Sequence, residues 1–160
     1  MADFAPAFVA LLGAEGGYSN DSRDPGQETM WGVTARVARL YGYQGAMRDM
    51  PRSTAALIAK RAYWDKLQCD LYPQAVAYSL FGALYNGGKP VLWAQQACGI
   101  PADGRLGPQT IEALKAVNPD RFVARFEAMH MLYLTQLPGW SAFGKGWARR
   151  QASTILQGVK

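Results

Sequence analysis

A chain of 160 residues that is 49% hydrophobic and holds five Trp is long enough to bury one core, which excludes a disordered or repeat-built polymer. It lacks any apolar run of the roughly eighteen residues that a membrane-spanning helix needs. The formal net charge of +5 is uneven: residues 119–160 hold six basic and two acidic side chains, which favours an anionic polymer, a membrane surface or nucleic acid as partner.

The first element in chain order is a helix. Phe4, Phe8, Leu11 and Leu12 are spaced as one helical face, Asp3 is placed to cap it and Pro6 falls in its first turn. The pattern runs up to Gly16-Gly17, so the spacing predicts Glu15 in the last helical turn. From Tyr18 to Val33 the mixture of Gly, Asn, Asp and Pro with alternating apolar positions predicts a small hairpin or irregular loop. Thr34 reads as the N-cap of a short helix to about Tyr41, ended by Gly42 and Gly45. Ser53 is placed to cap a helical run through Leu57, Ile58, Ala62, Tyr63 and Leu67, with Lys60, Arg61 and Lys66 facing solvent.

Behind Pro73, the residues Val76, Leu80, Phe81 and Leu84 form the stripe of a buried helix that stops at Gly87-Gly88. Pro90 opens another through Leu92, Trp93 and Ala97, closed by Gly99. Pro108 begins a helix carrying Ile111 and Leu114, and Pro119 a longer one carrying Phe122, Phe126, Met129 and Leu137. The last helix begins near Trp140 and holds Trp147, Ile155 and Leu156. No Pro, Ser or Gly linker is long enough to separate independent domains. The expectation is a mainly α fold, a helical bundle with a small hairpin or loop element after the first helix, packed as a single compact domain over 1–160.

Glu15 is the residue on which a chemical reading turns. At a helix C-terminus, the dipole and partial burial both favour the protonated carboxyl. Asp21, Asp24 and Glu28 follow closely, and crowded carboxyls oppose Glu15's ionisation further. Acids pushed apart in this way suit acid/base catalysis.

The motifs around it are more specific. Glu15-Gly16-Gly17-Tyr18, Asp24-Pro25-Gly26, Thr29 and Trp31-Gly32-Val33-Thr34 resemble the N-terminal signature of the glycoside hydrolase family 108 lysozymes, the muramidase-type endolysins of bacteriophages and prophages. Further on, Gln95-Gln96-Ala97-Cys98-Gly99-Ile100, Asp103-Gly104, Gly107-Pro108 and Thr110 resemble the segment that this family shares with peptidoglycan-binding modules. Residues 143–150 resemble its closing segment. Two positions depart from the pattern. Gln27 stands where the family often has the second Gly of the turn carrying Asp24, and Gly82 stands where an acidic residue is less surprising.

The resemblance implies an α+β lysozyme-like fold with a catalytic region over 1–88 and a peptidoglycan-binding-like helical region over 89–160. It implies Glu15 as general acid, Asp24 as the group that activates or positions water, and Thr29 as a hydrogen-bonding partner of that water. Tyr18, Trp31, Tyr85 and Asn86 are the expected groove residues, because sugar rings stack on aromatics and their hydroxyls and N-acetyl groups ask for amides. The expected substrate is the glycan strand of peptidoglycan, cut between N-acetylmuramic acid and N-acetylglucosamine, with cell lysis as the result. The alternative is a non-catalytic peptidoglycan-binding or secretion-assisting module, which would not need Glu15.

Other residues are read more plainly. Cys69 and Cys98 are two small core residues rather than a disulfide framework, and together with the lone His130 they show no metal-ligand spacing. His130, among Met129, Met131 and Leu132, reads as a core-edge residue. Neither a metal nor a cofactor is expected. Trp140, Phe143 and Trp147 recur at helical spacing with Lys145, Arg149 and Arg150 interleaved, and these three cations are placed to meet an anionic outer-membrane or wall surface. No nucleic-acid motif is present, and a monomer is expected. With Asp3 ahead of the first apolar residues and no basic leader, synthesis in a host bacterial cytoplasm without a signal peptide is expected, with release to the periplasmic wall by a holin or a secretion system.

Overall fold

The computed structural model describes residues 1–13, 17–20 and 28–159. Among these stand eight α-helices and one three-stranded antiparallel sheet, so the fold is mainly α with a small β element after the first helix, the class that the sequence predicts. Internal packing divides the chain into two compact units, Asp3–Lys66 and Leu67–Lys160 with Met1–Ala2.

In the first unit, helix α1 spans Phe4–Leu12 and the Asp3 carboxylate caps it, accepting from the Ala5 N–H at 3.0 Å. Phe8 is buried and stacks on Phe4, whose ring also meets the edge of the fully buried Trp64. The helix ends earlier than its apolar spacing predicts. Gly13 closes it with φ +58°, an angle that glycine takes without a side-chain penalty, and its N–H bonds the Val9 carbonyl. Glu15 lies outside the described residues.

Strands β1 (Tyr18–Asn20), β2 (Glu28–Met30) and β3 (Val33–Thr34) form the sheet in that order. Met30 pairs with Val33, leaving Trp31 and Gly32 as a two-residue turn with φ +51° and +74°. Positive φ at both positions is the type I′ geometry that matches strand twist. Thr34 then caps α2 (Ala35–Leu40) as predicted, its hydroxyl accepting from the Val37 N–H.

Helix α3 spans Arg52–Ala59 and starts behind Pro51. Ser53 therefore sits inside the first turn and does not cap it: Pro51, in extended conformation, is the N-cap residue, and its carbonyl accepts the first helical bond from the Ala55 N–H at 3.1 Å. A π-helical turn over Lys60–Trp64 follows, then a 3-10 turn over Asp65–Leu67. The buried stripe is Ala55, Ile58, Ala59, Ala62 and Trp64, while Leu57 is left 60% exposed. The wide π turn shifts the helical register and brings Trp64 inward, which a regular 3.6-residue period does not anticipate.

The second unit is built on α4 (Gln74–Tyr85), α5 (Pro90–Cys98), α6 (Pro108–Ala116), α7 (Pro119–Thr135) and α8 (Trp140–Gly158). Proline opens α5, α6 and α7 at the first turn, where its missing N–H has no partner to lose. Helix α4 is buried on most sides, through Val76, Ala77, Leu80, Phe81 and Ala83. Helix α7 packs against α4, α5 and α8 through Phe122, Val123, Phe126 and Leu134. Leu137, predicted within that helix, follows its end at Thr135.

Helix α8 departs most from its predicted stripe. It buries Gly144, Gln151, Thr154 and Gly158 and leaves Ile155 and Leu156 exposed. Small residues permit close approach: a Cβ on Gly158 would stand 3.0 Å from a Val123 methyl carbon. No helix among the described residues is long and apolar enough to cross a membrane.

Candidate active site

The sheet sets the positions around Thr29. Directly opposed residues in an antiparallel ladder share a face, so Ser19, Thr29 and Thr34 form a row of hydroxyls across β1, β2 and β3. Tyr18, Asn20, Glu28, Met30 and Val33 lie on the other face by the same alternation. The expected catalytic threonine and the expected stacking residue Tyr18 are therefore on opposite faces of one small sheet. Residues 21–27 join Asn20 to Glu28, which pair across β1 and β2; Asp21, Asp24 and Gln27 lie outside the described residues.

The two aromatics of this unit have partners of their own. Tyr18 donates its hydroxyl to the Glu28 carboxylate at 2.9 Å, the diagonal contact expected across a hairpin, and the Arg48 guanidinium lies 5.3 Å from its ring centroid. Trp31 holds its positive φ while its indole N–H donates to the Met50 carbonyl at 2.9 Å and Arg52 lies over its ring. A bulky residue in the left-handed region is strained by about 1–2 kcal/mol. The indole hydrogen bond offsets that strain and ties the β2–β3 turn to the segment carrying the buried Met47 and Met50.

Tyr85 and Asn86 belong to the second unit, at the end of α4. Tyr85 is half-buried and meets Phe81 edge-on at 5.5 Å. The glycines after it terminate the helix: the Gly88 N–H bonds the Ala83 carbonyl at 2.8 Å, the Gly87 N–H bonds Leu84, and Gly87 has φ +81°, which together make a Schellman cap. Asn86 is exposed, yet both ends of its amide are engaged. Its Nδ2 donates to the Gly82 carbonyl at 2.7 Å and its Oδ1 accepts from Arg150 Nη1 at 2.5 Å. Arg150, one of three cations expected to face an anionic surface, thus tethers α8 to the end of α4. Lys145 and Arg149 are exposed on α8 beside the half-buried cluster of Trp140, Phe143 and Trp147.

Buried polar groups complete this unit. Gln95 is 2% exposed, and its amide nitrogen donates to the Asp103 carboxylate, the Arg105 carbonyl and the Thr110 hydroxyl, while its oxygen accepts from the Gly104 N–H. The turn from Asp103 to Thr110 is held from within by that one side chain. The Arg105 N–H and then Gln95 stabilise the Asp103 carboxylate and lower its pKa below the ordinary value. Farther in, Glu127 Oε2 accepts from Gln151 Nε2 at 2.8 Å and lies 3.3 Å from His130 Nδ1, and the His130 ring stacks on Trp93.

His130 is therefore fully inside the core rather than at its edge. A polar residue in an otherwise apolar helical stripe, such as Gln95 beside Trp93 and Ala94, is the only sequence signal such a network leaves. Cys69 is buried and Cys98 half-buried, both free thiols, and burial raises the Cys98 pKa. Among the described residues no group of three or more His, Cys, Asp or Glu is arranged to hold a metal ion.

The family model for glycosyl hydrolase 108 matches residues 8–88, half of the chain. The chain belongs to the glycosyl hydrolase 108 family. It is a glycoside hydrolase of the lysozyme type, and the family implies peptidoglycan as its substrate. The match spans Glu15, Asp24 and Thr29, and also Tyr18, Trp31, Tyr85 and Asn86. The structure of Brucella abortus SagA is similar to that of this hydrolase, with a TM-score of 0.86 and 26% identity, covering 97% of this chain and 92% of the SagA chain. A search of curated proteins found none that matches.

Proposed function

We propose that this hydrolase is an N-acetylmuramidase, which cuts peptidoglycan between N-acetylmuramic acid and N-acetylglucosamine and so lyses bacterial cells. Glu15 gives its proton to the leaving oxygen, Asp24 activates or positions the attacking water, and Thr29 holds that water by hydrogen bonding. The observation that carries this reading is the family match over 8–88, which includes all three residues in one continuous segment. The hairpin register supports it: the segment containing Asp24 connects two residues that face each other, Asn20 and Glu28, with Thr29 next along β2.

Tyr18, Trp31, Tyr85 and Asn86 are the proposed glycan contacts. The protein acts as a monomeric phage or prophage endolysin, made in the host cytoplasm and released to the wall by a holin or a secretion system. Lys145 and Arg149 meet an anionic surface beside the Trp140, Phe143 and Trp147 cluster, a basic and aromatic combination suited to such a boundary.

Mass spectrometry of purified walls after digestion tests the reaction directly. Reducing muramic ends are expected. Reducing glucosamine ends or free peptides would replace the muramidase reading with a glucosaminidase or an amidase. Glu15→Gln keeps the side-chain shape and removes the transferable proton, so wall lysis is expected to fall by about 10²–10⁴ with the fold intact; wild-type lysis by this variant would remove Glu15 from its role.

A further inference from the structure

The unit Asp3–Lys66 carries a surface cleft of about 210 Å³ that none of the residues proposed for catalysis forms. Its walls include Tyr41, Tyr43, Thr54, Leu57, Ile58 and Arg61. The surrounding sequence is strongly basic: residues 35–66 hold seven Lys or Arg and two Asp, so this stretch alone equals the +5 excess of the whole chain.

Most of these cations are engaged within the fold. Arg39 donates to the carbonyls of Tyr43 and Gly45, and Lys60 pairs with Asp65. Arg48, Arg52 and Lys66 lie over the rings of Tyr18, Trp31 and Tyr41. Among the described residues Arg61 has no hydrogen bond or ion pair, and it is a cation that lines the cleft. A guanidinium with its donors free is a ready partner for a carboxylate, which it grips with two parallel hydrogen bonds.

The rest of the wall offers complementary surfaces. Tyr41 and Tyr43 each carry a cation over one ring face, Lys66 and Arg39, and line the cleft with the rest of the ring, while Leu57 is 60% exposed and Thr54 supplies a hydroxyl. Aromatic and aliphatic surface beside one cation matches a group with an apolar face and a carboxylate. The volume is below the roughly 300–1,000 Å³ of full ligand pockets, which limits the occupant to about one residue of a polymer.

We infer that this cleft is a subsite for one carboxylate-bearing residue of the peptide stem that substitutes the wall polymer's muramic-acid-type sugar, with Arg61 holding the carboxylate and Tyr41, Tyr43 and Leu57 the apolar part of that residue. The inference rests on the peptidoglycan reading above. The subsite lets the hydrolase grip the substituted sugar and distinguish it from its neutral neighbour in the strand.

The test is a nuclear magnetic resonance titration of the full chain with muramyl dipeptide, and separately with neutral chitobiose. Muramyl dipeptide is expected to shift the amides of Tyr41, Thr54, Leu57 and Arg61. Arg61→Gln, at an exposed position, is expected to weaken that binding about tenfold, as loss of one charge-assisted contact does. Leu57→Glu sets a like charge against the ligand carboxylate and weakens it in the same sense, while chitobiose binding does not respond to Arg61. Unchanged muramyl dipeptide affinity in Arg61→Gln, or shifts confined to other residues, overturns the cleft assignment, and intact release of reducing muramic ends from walls leaves the muramidase reading standing. Arg61-dependent binding without release of such ends does the reverse.

Discussion

Gly88→Ala drives a methyl group into the Trp93 ring. An ideal Cβ at residue 88 stands 2.8 Å from Trp93 Cη2 and Cζ3 and 2.9 Å from the Ala83 carbonyl oxygen. Ordinary carbon contacts lie at about 3.5–4.0 Å, so the neighbours must yield by more than half an ångström. They are poorly able to. Trp93 is confined by His130 at 4.9 Å, Tyr133 at 5.2 Å and Phe126 at 5.9 Å, and the Ala83 carbonyl is the acceptor that closes α4.

Overpacking of this kind costs about 1–3 kcal/mol. Gly87→Ala provides the contrast. Nothing lies within 4 Å of a Cβ there, so its only cost is the positive φ, about 1–2 kcal/mol. The two mechanisms separate in a double-mutant cycle with Trp93→Phe, read by urea denaturation with circular dichroism. Trimming the indole is expected to recover at least about 0.5 kcal/mol of the Gly88→Ala cost and none of the Gly87→Ala cost. Equal costs for Gly88→Ala in both backgrounds would refute the packing argument.

Three further outcomes are expected. Gln95→Leu removes the donor to the buried Thr110 hydroxyl, whose own proton still reaches the Arg105 carbonyl, and frees the Asp103 turn, lowering stability by about 2–4 kcal/mol, seen as a lower urea midpoint at unchanged slope; a loss below about 1 kcal/mol would show that the turn holds itself. The depressed pKa of Asp103 means that its contribution is present above the ordinary carboxylate range and is lost as pH falls through the folded value. The Arg105 amide shift should therefore titrate below that range, and a midpoint at or above it contradicts the hydrogen-bonding cause. Thr29→Ala should reduce wall hydrolysis by about one to two powers of ten while Tyr18→Phe, which alters the opposite face of the sheet, keeps most of the rate. The reverse ranking would move the reacting groups to the Tyr18 face.

Much of this protein is legible along the chain because local rules decide it. Asp3 and Thr34 cap their helices, proline opens α5, α6 and α7, and Gly42, Gly87 and Gly99 end elements at positive φ. Each of these depends on backbone geometry within a few residues, which the residue types report directly. The family signature around Glu15 is likewise local, a set of short runs of residue types between Glu15 and Thr34 that lies within the segment matched by the glycosyl hydrolase 108 family.

Tertiary packing alone decided the rest. Which face of α8 turns inward depends on how closely α7 approaches it, and close approach selects Gly144, Gln151, Thr154 and Gly158 over the larger Ile155 and Leu156. The pairing of Arg150 with Asn86 spans 64 positions of sequence, and the engagement of Gln151 with Glu127 spans 24. No periodicity within one helix encodes a polar contact between two, because a buried hydrogen bond is defined by the partner that another element brings to it. The strained turn at Trp31 belongs to the same class: a tryptophan tolerates positive φ there because Met50, nineteen residues on, receives its indole proton.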